Sequence, residues 1–154
     1  MPVRQTGARF IVARTDARYA EGMDAALRRG ERFLKAGADV LFVESPESLE
    51  ELRRVAETFK GAALLANMVE GGRTPYLSAG ELASMGFKIG LYPASGFLTA
   101  AGALQLVYRQ LKTAGTSKGS EAPMLPFKDM NTLMGFPAVH AFVQRYGLAD
   151  GHKD

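Results

Sequence analysis

The chain reads as an α/β protein made of four consecutive strand–helix units followed by a helical appendix. Three observations predict this. Short apolar runs near 9–14, 39–44, 63–67 and 87–92 alternate with longer stretches of helical periodicity. Their starts lie 30, 24 and 24 residues apart, which leaves room for one helix per connection, the repeat of a parallel sheet. Three of the runs also end abruptly in polar groups: Arg14 with Asp16, then Glu44, then Asn67. Polar side chains at the carboxyl ends of consecutive parallel strands are how α/β barrels assemble their sites.

The elements follow in order. After the first strand, the stretch 22–36 places Met23, Ala26, Leu27, Gly30, Phe33 and Leu34 on one helical face and Asp24, Arg28, Glu31 and Lys35 on the other. Gly37 is the expected C-terminal stop, because a left-handed residue there is unstrained only for glycine. The helix after the second strand is expected to open at Ser45-Pro46, serine as cap and proline in the first turn, and to bury Leu49, Leu52, Val55, Ala56 and Phe59. Ser78 and Glu81 have capping-box spacing for a third helix that ends at Gly86. A long Ala- and Leu-rich helix is expected over 95–114, then a loop with Gly115, Gly119, Pro123 and Pro126, then short helices near 128–134 and 137–146. The tail from Asp150 is expected to fray. Domain organisation therefore reads as βα units over 1–114 and an appendix over 115–154. The loop from Met68 to Leu77, with Glu70-Gly71-Gly72-Arg73-Thr74-Pro75, is long for its class, and such loops at this end of a sheet are usually lids or ligand loops.

Composition removes several classes of function. The 154 residues are enough for one domain with a real core, and 47% of them are apolar. The net charge of +3 comes from scattered basic residues, without the basic stripe and interleaved aromatics of a nucleic-acid surface. There is no cysteine, hence no disulfide and no thiol chemistry. No apolar run reaches the roughly 18 residues of a membrane helix, so no membrane role is expected. The first residues lack the apolar core of a secretory signal, which makes the cytoplasm the expected location.

Four motifs carry a resemblance. Ile-Val-Ala-Arg-Thr-Asp-Ala (11–17), Gly-Ala-Asp-Val-Leu-Phe-Val-Glu (37–44), Leu-Ala-Asn-Met-Val-Glu-Gly-Gly-Arg-Thr-Pro (65–75) and Gly-Phe-Lys-Ile-Gly-Leu-Tyr-Pro (86–93) occur in order, each at a strand end. Together they make the chain similar to the isocitrate lyase / phosphoenolpyruvate mutase superfamily, of the kind represented by methylisocitrate lyase and carboxyphosphonoenolpyruvate phosphonomutase. The resemblance implies the C-terminal half of a (β/α)₈ TIM barrel, its strands five to eight. It implies chemistry on a small 2-hydroxy or 2-oxo carboxylic acid through an enolate-like species held on Mg²⁺, most readily C–C bond cleavage, with phosphonomutase chemistry as runner-up. Preplaced cations and donors lower such a barrier by stabilising the charge that builds on oxygen. The family's paired metal-binding aspartates and its cysteine-bearing catalytic loop have no counterpart here, so no direct metal ligand is expected in this chain, and the chain alone is expected to be inactive.

The resemblance also implies site residues. Arg14 matches the family arginine, whose planar fork binds a carboxylate; the alternative is a structural ion pair with Asp16 or Glu44. Glu44 matches the family glutamate and would orient Arg14 or hold metal-bound waters. Asn67 matches the family asparagine and would donate to a substrate carboxylate, with Met68 and Val69 offering backbone N–H groups. Asp16, Thr74 and Tyr92 form a second tier; Asp16 is also a good helix cap and Tyr92 a plausible strand end. His140 and His152 lack metal-ligand spacing. In methylisocitrate lyases an arginine is expected soon after the Leu-Tyr-Pro strand, where this chain has Phe97-Leu98, and another near Phe127. Their absence argues against a tricarboxylate and for a smaller or more apolar acid, an alkyl-substituted malate being one option.

Half a barrel would leave two open strand edges and an apolar inner face that includes Phe10, Val12 and Phe42. The chain is therefore expected to be a fragment, to pair with a complementary N-terminal half, or to form a homo-oligomer in which 128–146 is exchanged between subunits. The rival to an enzyme is a noncatalytic remnant subunit that binds a carboxylate or a complementary half-barrel. An open flavodoxin-like sheet ranks last, because Thr15-Asp16-Ala17-Arg18 is not a glycine-rich phosphate turn.

Overall fold

A computed structural model describes residues 9–147; His152 and the tail from Asp150 lie outside them. The element order is β1 (Val12–Thr15), α1 (Ala17–Glu21), α2 (Met23–Lys35), β2 (Val40–Val43), α3 (Leu49–Thr58), β3 (Ala63–Asn67), α4 (Ala79–Met85), β4 (Ile89–Leu91), α5 (Ser95–Ala114), α6 (Phe127–Leu133) and α7 (Phe136–Tyr146). The four strands form one parallel sheet in the order β1-β2-β3-β4, as four successive βα units require. The chain divides into two compact units, with the boundary after Ala100, inside α5.

Sequence explains most boundaries in the first unit. Helix α2 buries Met23, Ala26, Leu27 and Gly30 and exposes Asp24, Arg28, Glu31 and Lys35. It ends as expected at Gly37, φ 97°, whose N–H donates to the Leu34 carbonyl while that of Ala38 donates to Phe33. The capping box of α4 forms in full, with Ser78 and Glu81 each accepting from the other's backbone, and Gly86 closes that helix at φ 107°. Two expectations need correction. Helix α3 opens not at Ser45-Pro46 but at Ser48, whose hydroxyl accepts from the Glu51 N–H at 3.0 Å. The reason is that Ser45 sits in the left-handed region at φ 57° and cannot start a helix. In addition a short helix, α1, fills the connection after β1, where periodicity was too brief to register.

The core lies on the helix-covered face of the sheet. Leu41, Val43, Leu64, Ala66 and Met68 point there and pack against Ala26, Leu27, Leu52, Val55 and Phe59. Fully burying one such aliphatic side chain contributes about 1.5–3 kcal/mol. The other face carries a smaller cluster of Val40, Phe42 and Leu65, with Val12, Ile89 and Leu91 exposed. Phe10 and Val12 are exposed as expected, but Phe42 is not: only 7% of it is accessible, and the Arg14 guanidinium lies over its ring at 5.1 Å.

The second unit is helical. Gln110 donates to the Lys118 carbonyl at 3.2 Å, which ties the end of α5 to the following loop. Helices α6 and α7 meet at a turn on Gly135, φ 81°, which few other residues adopt without strain. His140 is exposed and stands beside Phe136 on α7. Phe127, Leu133, Met134, Val139, Phe142 and Tyr146 are all exposed. Among the described residues no helix is long and apolar enough to cross a membrane.

Candidate functional site

Parallel register sets the geometry of the strand ends. Arg14 pairs with Phe42, Phe42 with Leu65 and Leu65 with Ile89, so one row crosses all four strands on the open face. Two residues further along, on the same face because side chains alternate, stand Glu44, Asn67 and Leu91. Chain alternation thus brings Arg14, Glu44 and Asn67 to one face and one end of the sheet.

Arg14 is heavily engaged. Its Nε and Nη2 donate to the two Asp16 carboxylate oxygens at 3.0 and 2.6 Å, and Nη2 lies 3.5 Å from Glu44 Oε2. The Asp16 bond, and after it the Glu44 charge, push the guanidinium pKa further up, while Arg14 holds the Asp16 carboxyl below its ordinary value. Asp16 occupies the N-cap position of α1, but its carboxylate makes no cap bond, because Arg14 takes both oxygens. Thr15 serves instead, its hydroxyl accepting from the Ala17 N–H.

Glu44 Oε1 accepts from the Ser45 hydroxyl at 3.1 Å. Glu44 Oε2 and Asn67 Oδ1 are both buried with no hydrogen-bond partner. Both residues line a pocket of about 220 Å³, together with Ser45, Val69, Gly72, Arg73 and Thr74. Its roof is the Met68–Leu77 loop, where Arg73 lies over the Tyr19 ring at 4.2 Å and so reaches the helix after β1. The other side of the loop is pinned by Glu70, which accepts from the hydroxyls of Tyr76, at 3.0 Å, and Ser95. The Ser95 hydroxyl, then Glu70's own backbone N–H and the Tyr76 hydroxyl, hold the Glu70 carboxyl below the usual range. A larger pocket, about 290 Å³, lies around Phe59, Gly61, Met85 and Gly86, at the residues that lead into β3 and β4. That is the end opposite the converging polar groups, so volume does not choose the site here.

Of the expected site residues, Glu44, Asn67, Val69 and Thr74 come together in one pocket, and Arg14 joins them through Glu44. Two do not. The Met68 N–H donates to the Leu91 carbonyl at 2.8 Å, and its side chain is fully buried on the helix side, where Sδ accepts from the Leu77 N–H. Met68 therefore has no amide to offer. Tyr92 also faces the helix side, donating to the Leu77 carbonyl at 2.8 Å and meeting the Tyr76 ring edge-on. It fastens the loop's end. Sequence reasoning missed Ser45 and Arg73 on the pocket wall and Glu70 as the pin of the loop; both loop residues fall in the segment read as a ligand loop, but only folding shows that Arg73 lines the pocket while Glu70 turns to Tyr76 and Ser95.

Residues 3–112 match the family model described as phosphoenolpyruvate phosphomutase. The chain belongs to this family. Among curated relatives it is 43% identical over 137 residues to 2,3-dimethylmalate lyase of Eubacterium barkeri, covering 89% of this chain and 47% of that protein. To 2-methylisocitrate lyase of Halalkalibacterium halodurans it is 42% identical over 120 residues, covering 78% of this chain and 40% of the relative. A trigonal crystal form of 2,3-dimethylmalate lyase, a member of the PEP mutase/isocitrate lyase superfamily, superposes with a TM-score of 0.82 at 31% identity, over 94% of this chain and 48% of that one. The chain thus spans less than half the length of these relatives. The four parallel units are half of the family's (β/α)₈ barrel.

Proposed function

We propose that this chain contributes the substrate-gripping half of a C–C bond lyase acting, in the cytoplasm, on a small 2-hydroxy or 2-oxo acid through an enolate-like intermediate. The observation that carries this reading is the pocket shared by Glu44 and Asn67, in which Asn67 Oδ1 is buried without a hydrogen-bond partner and Glu44 Oε2 accepts no hydrogen bond, having only the Arg14 guanidinium 3.5 Å away. A buried polar atom left unpaired costs about 1–3 kcal/mol, so the pocket is built for a ligand that supplies hydrogen-bond donors. A ligand hydroxyl donating into the pocket satisfies it. Identity to 2,3-dimethylmalate lyase supports an acid of modest size.

Mg²⁺ is implied by the family, and the described residues do not fit it. They contain no cluster of three or more metal-ligating side chains. The carboxylates nearest the pocket are occupied, Asp16 by Arg14, and Glu44 by Ser45 with Arg14 at its other oxygen, where a guanidinium opposes a second cation. The chain's own residues bind and orient; with Arg14 neutralised by two carboxylates, they hold no spare cation on that strand for enolate charge. Alone the chain turns over no substrate.

The open edges β1 and β4, and the exposed Val12, Ile89 and Leu91, support association with a complementary half-barrel or a second copy. Two measurements test the reading. Sedimentation of a compact monomer at micromolar concentration contradicts association. Co-expression with an N-terminal half-barrel of a relative should restore lyase activity that Asn67→Ala removes; binding of a carboxylate without activity in any mixture favours the second reading, a noncatalytic subunit, which the Arg14–Asp16 lock also supports.

A further inference from the structure

The cation that faces the pocket without a partner is not the one the motifs single out. Arg14 is held in a bidentate bond by Asp16 and lies against Glu44. Arg73 lines the pocket itself, and no carboxylate among the described residues lies within ion-pair distance of it. Its guanidinium lies over the Tyr19 ring at 4.2 Å. An aromatic face steadies a guanidinium without neutralising it, and leaves N–H groups for a carboxylate. Glu44, on the same pocket wall, already has Arg14 Nη2 3.5 Å from its Oε2, so the guanidinium in the pocket lining that is left for an anionic ligand is that of Arg73. We propose that Arg73, poised on Tyr19, reads the ligand carboxylate remote from the hydroxyl, so that the favoured acid carries two carboxylates, the second of them at Arg73, with a donor group facing Glu44 and Asn67. This rests on the small-acid reading above and assigns it a charge pattern and a specificity-determining residue on the loop.

The test titrates the full 154-residue chain calorimetrically with malate and with 2-hydroxybutyrate, in which a methyl replaces the second carboxylate. The chain should prefer malate by about tenfold or more, the scale of one charge-assisted hydrogen bond. Arg73→Ala should erase that preference while leaving 2-hydroxybutyrate binding nearly unchanged. Arg73→Lys should keep part of it and Tyr19→Ala should weaken it. Arg73 is exposed, so these variants should fold as the parent does, which circular dichroism checks. Independently, phenylglyoxal should modify Arg73 faster than the ion-paired Arg14, and malate should protect Arg73 in the peptide map. A malate preference that survives Arg73→Ala, or protection at Arg14 instead, overturns the inference and leaves the small-acid reading standing. Binding of neither acid, with neither arginine protected, overturns both.

Discussion

At Gly30 α2 packs directly against Leu41 of β2 and against Phe59, and replacing the glycine with alanine tests the packing that holds β2, and with it Glu44, in place. A Cβ at Gly30 would lie 2.8 Å from Phe59 Cζ and 2.9 Å from Leu41 Cδ2, against an ordinary contact of 3.4–4 Å. Both are ends of side chains; Leu41, 0% exposed, has no free volume to move into, and Phe59, 5% exposed, can yield only toward the pocket of about 290 Å³ that it borders. Inserting a methylene into such a core costs about 1–3 kcal/mol, and two simultaneous clashes put this site toward the top. Alanine returns up to about 1 kcal/mol of helix propensity. The net expectation is a loss of about 1–2 kcal/mol, which lowers a urea midpoint by roughly 0.5–1 M at unchanged slope. Urea unfolding followed by circular dichroism at fixed protein concentration measures it. Gly80→Ala in α4 is the control: its Cβ meets nothing nearer than Ser78 Oγ at 4.0 Å, so it should be neutral or stabilising. If Gly30→Ala stabilises the protein as much as the control does, the close approach of α2 to Leu41 and Phe59 is wrong.

Other expectations follow from single contacts. Ser48→Ala removes the side-chain cap of α3 and should cost about 1 kcal/mol in the same urea assay, whereas Ser45→Ala should cost less, since Ser45 caps nothing. Glu51, bonded to Arg18 first and to the Glu47 N–H besides, has its carboxyl pKa below the ordinary value of 4.5. Its contribution is therefore complete above that value and is lost as pH falls through the lower folded pKa; Glu51→Gln should flatten the acid limb of a stability–pH curve and leave pH 7 to 9 parallel to the parent. Asp16→Asn should change stability by less than about 1 kcal/mol, because the pair with Arg14 is half exposed, yet should make Arg14 react faster with phenylglyoxal. An unchanged Arg14 rate would refute the lock.

The strand–helix alternation was legible because it rests on repeating patterns: period 2 and 3.6 in the apolar residues, and glycines at Gly37 and Gly86 where positive φ ends a helix. The polar strand ends were legible for the same reason, since Glu44 and Asn67 break apolar runs. Local start signals were less reliable. Ser45-Pro46 has the residues of a helix opening, but the chain turns left-handed at Ser45, and Ser48 caps instead. The Met68 amide is out of reach of sequence reasoning because only the parallel pairing shows it donating to Leu91, and Tyr92 alternates to the helix side, where its hydroxyl meets Leu77.

By itself, then, the sequence determined the βα order, the sheet face that meets the helices, and the family of chemistry that Arg14, Glu44 and Asn67 suggest, because these depend on spacing along the chain. Tertiary structure decided which charges cancel and which remain. Arg14 ends up spent on Asp16 and Glu44, while Arg73, 59 positions on, arrives uncompensated beside Asn67 through a loop that crosses to Tyr19. Electrostatic partnership depends on distance through space, which folding sets and residue order does not.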